Sequence, residues 1–454
     1  MKNRWITRDR DYYRSLIMLA IPVALQSLIT FLVSFADNLM VNTLGDAAVS
    51  GVYIGNQIQT LLQMFTSGFS GALLIISAQY WGKGETSQIR RLSAVGIRFS
   101  VYVGAVFAVV CFLLPDTIID IFTNDASTVT EGAVYLKWVS LSYVFFCATQ
   151  ALIAAMRSVE VARIGMWTSL ASLFVNVGLN YVLIFGKLGF EPMEVKGAAI
   201  ATVCARVVET AVVLGYVLKE KKLSFRLRHL LLGGGALMKD FIRYSLPLVA
   251  GEVVWSVNMM CNTAIMGGYG SEVVTAVSVA NNLQTMAFIA ISGLASAVGI
   301  ISGKTIGAGK YELMKEYART TQVIFLILGF VLGGLLVAVR LPFLSLFTGI
   351  SSDAMFYAKQ LTLVLCVSVV GTAYQMPCLF GLVKSGGDIS FVFKNDTIFV
   401  FCVVLPSAFL AAHFGAPAWV AFACLKCDQI LKCFVAVVKI NRFNWMKKLT
   451  RDEA

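Results

Sequence analysis

The sequence predicts an all-α integral membrane protein of twelve transmembrane helices, arranged as two six-helix lobes related by a parallel internal repeat. Three observations carry that prediction. Of 454 residues, 58% are hydrophobic and only 14% charged, against about 25% charged in an ordinary soluble domain, so water is not the main solvent of this chain. Apolar runs of about 20 residues, the length that crosses a hydrocarbon core of roughly 30 Å, recur along the whole chain between short polar breaks. The two halves also repeat one another: residues 56 to 60 read NQIQT and residues 281 to 285 read NNLQT.

In chain order the expected spans are 13 to 38, 48 to 80, 92 to 115, 133 to 156, 164 to 186, 196 to 218, 241 to 267, 273 to 303, 319 to 345, 355 to 383, 391 to 411 and 416 to 438. Each is expected to be helical, because lipid leaves every backbone polar group to be satisfied within its own segment. The first 14 residues are polar and basic, the first apolar run is too long for a signal-peptide core, and no small-residue cleavage site follows it, so no leader is expected to be removed.

The net charge of +12 does not point to nucleic acid, since the basic residues are spread over loops instead of forming one patch on a soluble domain. With the N-terminus in the cytoplasm, the basic stretches KEKKLSFRLRH (219 to 229) and NRFNWMKKLTR (441 to 451) are cytoplasmic, and only Lys187, Lys196, Arg340 and Lys359 fall outside. The positive-inside rule therefore places both termini in the cytoplasm of a cell that carries the protein in its cytoplasmic membrane. All ten cysteines fall within expected spans, where they read as small buried hydrophobes. Cys424 and Cys427 form a CxxC, but without a second pair or a nearby His it is not a metal or redox motif. His229 and His413 lie near loops on opposite faces and share no site.

Aligned without a gap at an offset of 225, residues 22 to 85 and 247 to 310 share fifteen identities, among them Pro22/Pro247, Gly45/Gly270, Gly68/Gly293, Gly82/Gly307 and Gly84/Gly309. Arg157-Ser158 faces Lys384-Ser385 at an offset of 227. The domains expected from this duplication are an N-terminal six-helix lobe, 1–218, a cytoplasmic basic linker, 219–239, and a C-terminal lobe with its tail, 240–454. An even number of spans per copy gives both copies the same orientation, as in carriers built from parallel repeats whose halves rock about a central cleft. Asn56, Gln59 and Thr60 then share one face of the second helix of the first lobe, and Asn281, Gln284 and Thr285 the equivalent face of the second. Such a face either bonds to neighbouring helices or lines a wet cleft.

A charge at the centre of a span costs roughly 2.5 to 3.5 kcal/mol on insertion scales, so each is a functional candidate. The first helix carries Asp37, whose repeat partner is Asn262; the fifth carries Asn176 and Asn180, four apart on one face; the sixth carries Thr202. One carboxylate with amide and hydroxyl oxygens suits a proton or a small hard cation such as sodium. Glu252, one turn or so beyond Pro247, is a further candidate. Arg206 and Glu209, three apart, can pair within one helix, and the spacings of Lys426, Asp428 and Lys432 permit similar pairing. GIISGKT (299 to 305) imitates a phosphate loop, but it has three residues between its glycines where the motif requires four, and it follows an apolar helix, not a strand. Gly82, Gly84, Gly307 and Gly309 are expected to end the second helix of each lobe.

Taken together and in order, IPVALQSLITFLVSFADNLMVNTLG, QYWGKGE with GKTIGAGK, LNYVLIFGKLGF with GAAIAT, and GLVKSGGD make the chain resemble the multidrug and toxic compound extrusion (MATE) family of cation-coupled antiporters over nearly its full length. The resemblance implies a two-lobed fold that exports mostly cationic, amphipathic organic compounds against entering sodium or protons. It implies no cofactor beyond the coupling ion, no nucleic acid and no obligate protein partner. It assigns the family's acidic position of the first helix to Asp37 and its cation-binding oxygens to Asn176, Asn180 and Thr202. Position 180 is Asp in many relatives and Asn here, which weakens the case for sodium. Glu252 matches a second family site only in approximate spacing, and Thr372, Ala373 and Tyr374 stand where that site's Asp is expected. Proton coupling through Asp37 is therefore favoured. The alternatives are a lipid-linked saccharide flippase of the same superfamily, disfavoured by the few interior cations, and an integral membrane transferase, disfavoured by the absence of clustered carboxylates or a His-containing site near one interface.

Overall fold

The computed structural model describes residues 5–347 and 351–451, among which there is no β-strand. Its helices are α1 (Arg10–Val41), α2 (Asp46–Lys83), α3 (Thr86–Leu113), the short α4 (Pro115–Asp120), α5 (Ala126–Val139), α6 (Tyr143–Ser158), α7 (Arg163–Phe185), α8 (Glu194–Lys219), α9 (Gly235–Gly267), α10 (Ser271–Gly307), α11 (Tyr311–Leu344), α12 (Ser352–Met376), α13 (Ile389–Ile398), α14 (Leu405–His413), α15 (Ala418–Lys426) and α16 (Asp428–Asn441). Among the described residues eleven continuous helical stretches are long and apolar enough to cross a membrane. The fourth expected span is the pair α5 and α6, joined through one 3₁₀ turn at Ser140–Ser142. The tenth and eleventh contain π-helical turns at Pro377–Lys384 and Phe399–Val404. The twelfth is interrupted at Cys427, which divides it into α15 and α16, and it carries the three charged side chains Lys426, Asp428 and Lys432.

Backbone conformation explains which glycines the two halves share. Gly45 and Gly270, with φ of 97° and 106°, precede α2 and α10; Gly84 and Gly309, with φ of 84° and 72°, follow them. A side chain is strained at such angles, so both copies keep glycine where the chain enters and leaves the same helix. Gly68 and Gly293 have another reason. A Cβ on Gly68 would lie 2.9 Å from the Val249 backbone nitrogen, and one on Gly293 would lie 2.8 Å from the Ala20 carbonyl oxygen.

Packing divides the chain into two compact units, cut inside the first helix of each repeat: residues 25–249 form one, and residues up to Ala24 together with those from Ala250 on form the other. The boundaries expected at 218 and 240 follow the duplication; the packing cuts fall two or three residues after Pro22 and Pro247, prolines inside α1 and α9.

In the unit of residues 25–249, α2 packs on α3, α5 and α6, α7 packs on α8, and α5 and α6 both reach α8. Leu62, Leu136, Tyr143 and Cys147, all fully buried, form part of its core. Where α2 meets α5 the backbones touch through glycine, for a Cβ on Gly51 would sit 2.5 Å from the Gly132 nitrogen. Small residues allow this close crossing where lipid gives helices little hydrophobic reason to associate. The Asp125 carboxylate caps α5, accepting from the backbone N–H of Thr128 at 3.0 Å. The hydroxyls of Thr128 and then Ser127 pull its pKa down to about 2.

In the other unit, α10 and α11 pack on α12, α12 packs on α16, and α14 packs on α15. Thr7 N–H donates to Thr320 Oγ1 at 2.8 Å, and the Tyr12 and Thr321 hydroxyls are bonded at 2.8 Å, so the entry to α1 is fastened to α11. The tail is fastened too: Trp445 is fully buried and donates to Ile440 O, while Asp388 receives Lys439 and Lys447, each at 2.7 Å. Burial alone would raise the Asp388 carboxyl, but the two ammonium groups outweigh it and hold it below the ordinary range. Lys432 bridges Asp396 at 2.8 Å and Asp428 at 3.0 Å, which adds an interhelical partner to the pairing that spacing permits. Lys426 instead donates to Gln284 at 2.9 Å. All ten cysteines are free thiols.

Candidate functional site: a polar cavity around Asp37

The unit of residues 25–249 contains a cavity of about 350 Å³ whose walls come from α1, α2, α5, α7 and α8. All five helices turn polar side chains towards it. From α1 come Thr30, Ser34, Asp37 and Asn38; from α2 come Asn56, Gln59, Thr60 and Gln63; from α7 come Ser169, Ser172 and Asn176; from α8 come Thr202, Arg206 and Glu209; and α5 adds Tyr135. The spacings of three, four and seven are those of single helical faces.

Asn180 is 1% exposed and donates from its Nδ2 to Asp37 Oδ1 and, at 3.3 Å, to Asn176 Oδ1. The acid is thus held by an amide from a helix far along the chain, and the Asn180 carbonyl oxygen is left buried without a partner. Thr202 lines the cavity while its hydroxyl donates to Ala198 O at 3.0 Å, and Thr60 does the same to Asn56 O at 2.9 Å. The Tyr135 hydroxyl donates to Asn56 Oδ1 at 3.1 Å. Arg206 meets Glu209 at 2.7 Å and rests over the Phe146 ring. Asp37 is therefore the one carboxylate of the cavity wall without a salt bridge among the described residues.

Of the residues singled out in the sequence, Asp37, Asn56, Gln59, Thr60, Asn176 and Thr202 line this cavity and Asn180 touches it through Asp37. Asn281, Gln284, Thr285 and Glu252 belong to the other unit. There Gln284 is engaged by Lys426, and Glu252 is near enough to Lys384 for their charges to interact. Ser169, Ser172 and Tyr135 went unremarked in the sequence reading. The serines carry a usable signal, since Ser169, Ser172 and Asn176 extend the stripe of Asn180 at helical spacing. Tyr135 carries none, as one aromatic among many in an apolar span.

Residues 22–182 and 247–410 match the family model described as MatE. The chain belongs to the MatE family. It is accordingly a multi-pass membrane protein, and the stretches matched begin at Pro22 and Pro247, the first pair of the internal repeat. A Bacillus subtilis relative described as an uncharacterized transporter, YisQ, is 22% identical over 432 residues, 93% of each chain. A Thermotoga maritima relative described as a probable multidrug resistance protein, NorM, is 24% identical over 336 residues, 74% of this chain and 72% of that one. Among solved structures, a mutant of the Vibrio cholerae MATE transporter VcmN superposes with a TM-score of 0.88 at 15% identity, covering 97% of this chain and 98% of the other. A MOP superfamily transporter from Pyrococcus furiosus, described as having a binding pocket of reverse polarity, gives 0.85 at 17% identity over 98% and 99%. At these identities the superpositions establish the MatE fold.

Proposed function

We propose that this MatE protein is a secondary active antiporter that exports organic, mostly cationic and amphipathic compounds from the cell in exchange for protons, by alternating access. The observation that carries the reading is Asp37: one carboxylate without a salt bridge, in the wall of a polar cavity and steadied by Asn180. An ionised Asp37 attracts a cation in a setting of low dielectric, and a protonated one does not. One negative group therefore serves a proton or a cationic guest in turn, which is the elementary requirement for exchange. Tyr53 and Tyr135 in the same wall offer ring faces to an organic cation. The multidrug resistance descriptions of several relatives support an export role.

A sodium ion at Asp37, Asn176, Asn180 and Thr202 is the weaker form of the proposal. These residues carry the oxygen donors that sodium prefers, but Asn180 turns its N–H group to Asp37, the Asn176 oxygen accepts from Asn180, and the Thr202 hydroxyl is donated to Ala198 O. A proton needs none of these bonds remade.

The test is Asp37→Asn, which keeps size and hydrogen-bonding capacity and removes the charge. In proteoliposomes it should abolish substrate-driven proton movement while the protein remains extractable and monodisperse. Proton movement at the wild-type rate in that variant would take Asp37 out of the mechanism.

A further inference from the structure

A second cavity of about 250 Å³ lies in the same unit, between α2 and α6, with Gln63, Ser70, Leu74, Ile153, Ala154 and Arg157 in its wall. Its one charged wall group is the guanidinium of Arg157, in the last turn of α6. That group has a single hydrogen bond among the described residues, from Nη2 to Gln26 Oε1 at 2.5 Å; its Nε is buried without a partner. No carboxylate among the described residues pairs with it, whereas Arg206, also in the unit's interior, has Glu209 at 2.7 Å. The Ser70 hydroxyl, also in the wall, is likewise buried and unpartnered.

A cation taken out of water without a counter-charge is costly. Here that cation stands in the wall of a space much larger than a water molecule. Because the site holds one positive charge, a monoanion neutralises it and a dianion would leave an excess. A planar guanidinium group matches a carboxylate in two parallel bonds. Beside the polar end, Leu74, Ile153 and Ala154 supply an apolar wall for an organic body. We infer that this cavity is a binding subsite for a small organic carboxylate, held by Arg157 with Ser70. Gln63 lines this cavity and the one around Asp37, so the anionic subsite adjoins the cation site. It does not rest on the antiport reading.

The experiment is equilibrium binding of radiolabelled benzoate to the purified full-length protein, with unlabelled benzoate, chloride, phenylphosphonate and benzylamine as competitors. Benzoate should bind saturably, and unlabelled benzoate should displace it better than chloride, phenylphosphonate or benzylamine. Losing a charge-assisted bond makes binding weaker by about tenfold or more, so Arg157→Gln should show that loss and Arg157→Lys a part of it. Ser70→Ala should weaken binding by a smaller factor, and it decides the matter if Arg157→Gln does not fold. No saturable binding by the wild type, equal binding by Arg157→Gln, or displacement by chloride as effective as by benzoate would overturn the assignment. Proton movement driven by an organic cation, measured on the same preparation, keeps the two readings apart: if it persists without benzoate binding, the subsite alone is lost.

Discussion

At the residue scale, the site turns on how few formal charges the cavity wall carries and on which of them are already answered. Glu209 has Arg206, and Asp37 has the Asn180 amide but no salt bridge among the described residues. A second carboxylate beside the first should change the preferred guest, because two negative oxygens and the nearby amides hold a hard cation better than one. Asn180→Asp is therefore expected to make efflux of a fluorescent organic cation from everted vesicles respond to a sodium gradient, to which the wild type should be nearly indifferent. Sodium insensitivity of that variant would show that the other oxygens are not available to an ion. Away from the cavity, Asp388 ties α16 and the tail to the start of α13 through Lys439 and Lys447. Since its folded pKa lies below the unfolded value of about 3.9, its contribution is complete above that value and fades as pH falls through the folded one. Asp388→Asn should cost about 2 kcal/mol at neutral pH, and unfolding in detergent at stepped pH should show the gap to wild type closing in acid.

At the element scale, some of the closest helix contacts are made through glycine. The α2–α5 crossing depends on Gly51 facing Gly132, and a methyl group there has nowhere to go without moving backbone. Gly51→Ala should destabilise the protein by about 1 to 3 kcal/mol through overpacking, read as a lower thermal midpoint. Gly178→Ala, in α7 with nothing near its added Cβ, should keep or slightly raise the midpoint, because alanine is the better helix former. Equal effects of the two substitutions would mean that the crossing is loose. The elements themselves were legible from apolar runs and end-capping glycines. The breaks at Ser140–Ser142 and Cys427 were not, since an apolar run reports its solvent and not the continuity of its hydrogen bonds.

At the scale of the whole molecule, the loop distribution of Lys and Arg predicts cytoplasmic termini. Ser127, before the third turn of the 126–158 stretch, and Ser224, in the basic stretch after α8, are both exposed and test it. A cysteine replacing Ser127 should react with an impermeant maleimide on intact cells, and one replacing Ser224 only after permeabilisation. The opposite labelling pattern would invert the topology. The duplication visible in NQIQT and NNLQT accounts for the kinship of the two halves, but the compact units are cut inside α1 and α9.

Composition, run length and the internal repeat by themselves determined that this is a helical membrane protein of two related halves, because those features record what each segment is dissolved in and how the gene was built. Asp37, Asn176, Asn180 and Thr202 were also visible, since a polar atom in an apolar run stands out. Only the tertiary structure decided that Asn180 holds Asp37, that Arg157 meets Gln26 and no carboxylate among the described residues, and that Gln284 is engaged by Lys426. Those are contacts between residues as much as 143 positions apart, and no periodicity along the chain records which distant partner a buried polar group meets.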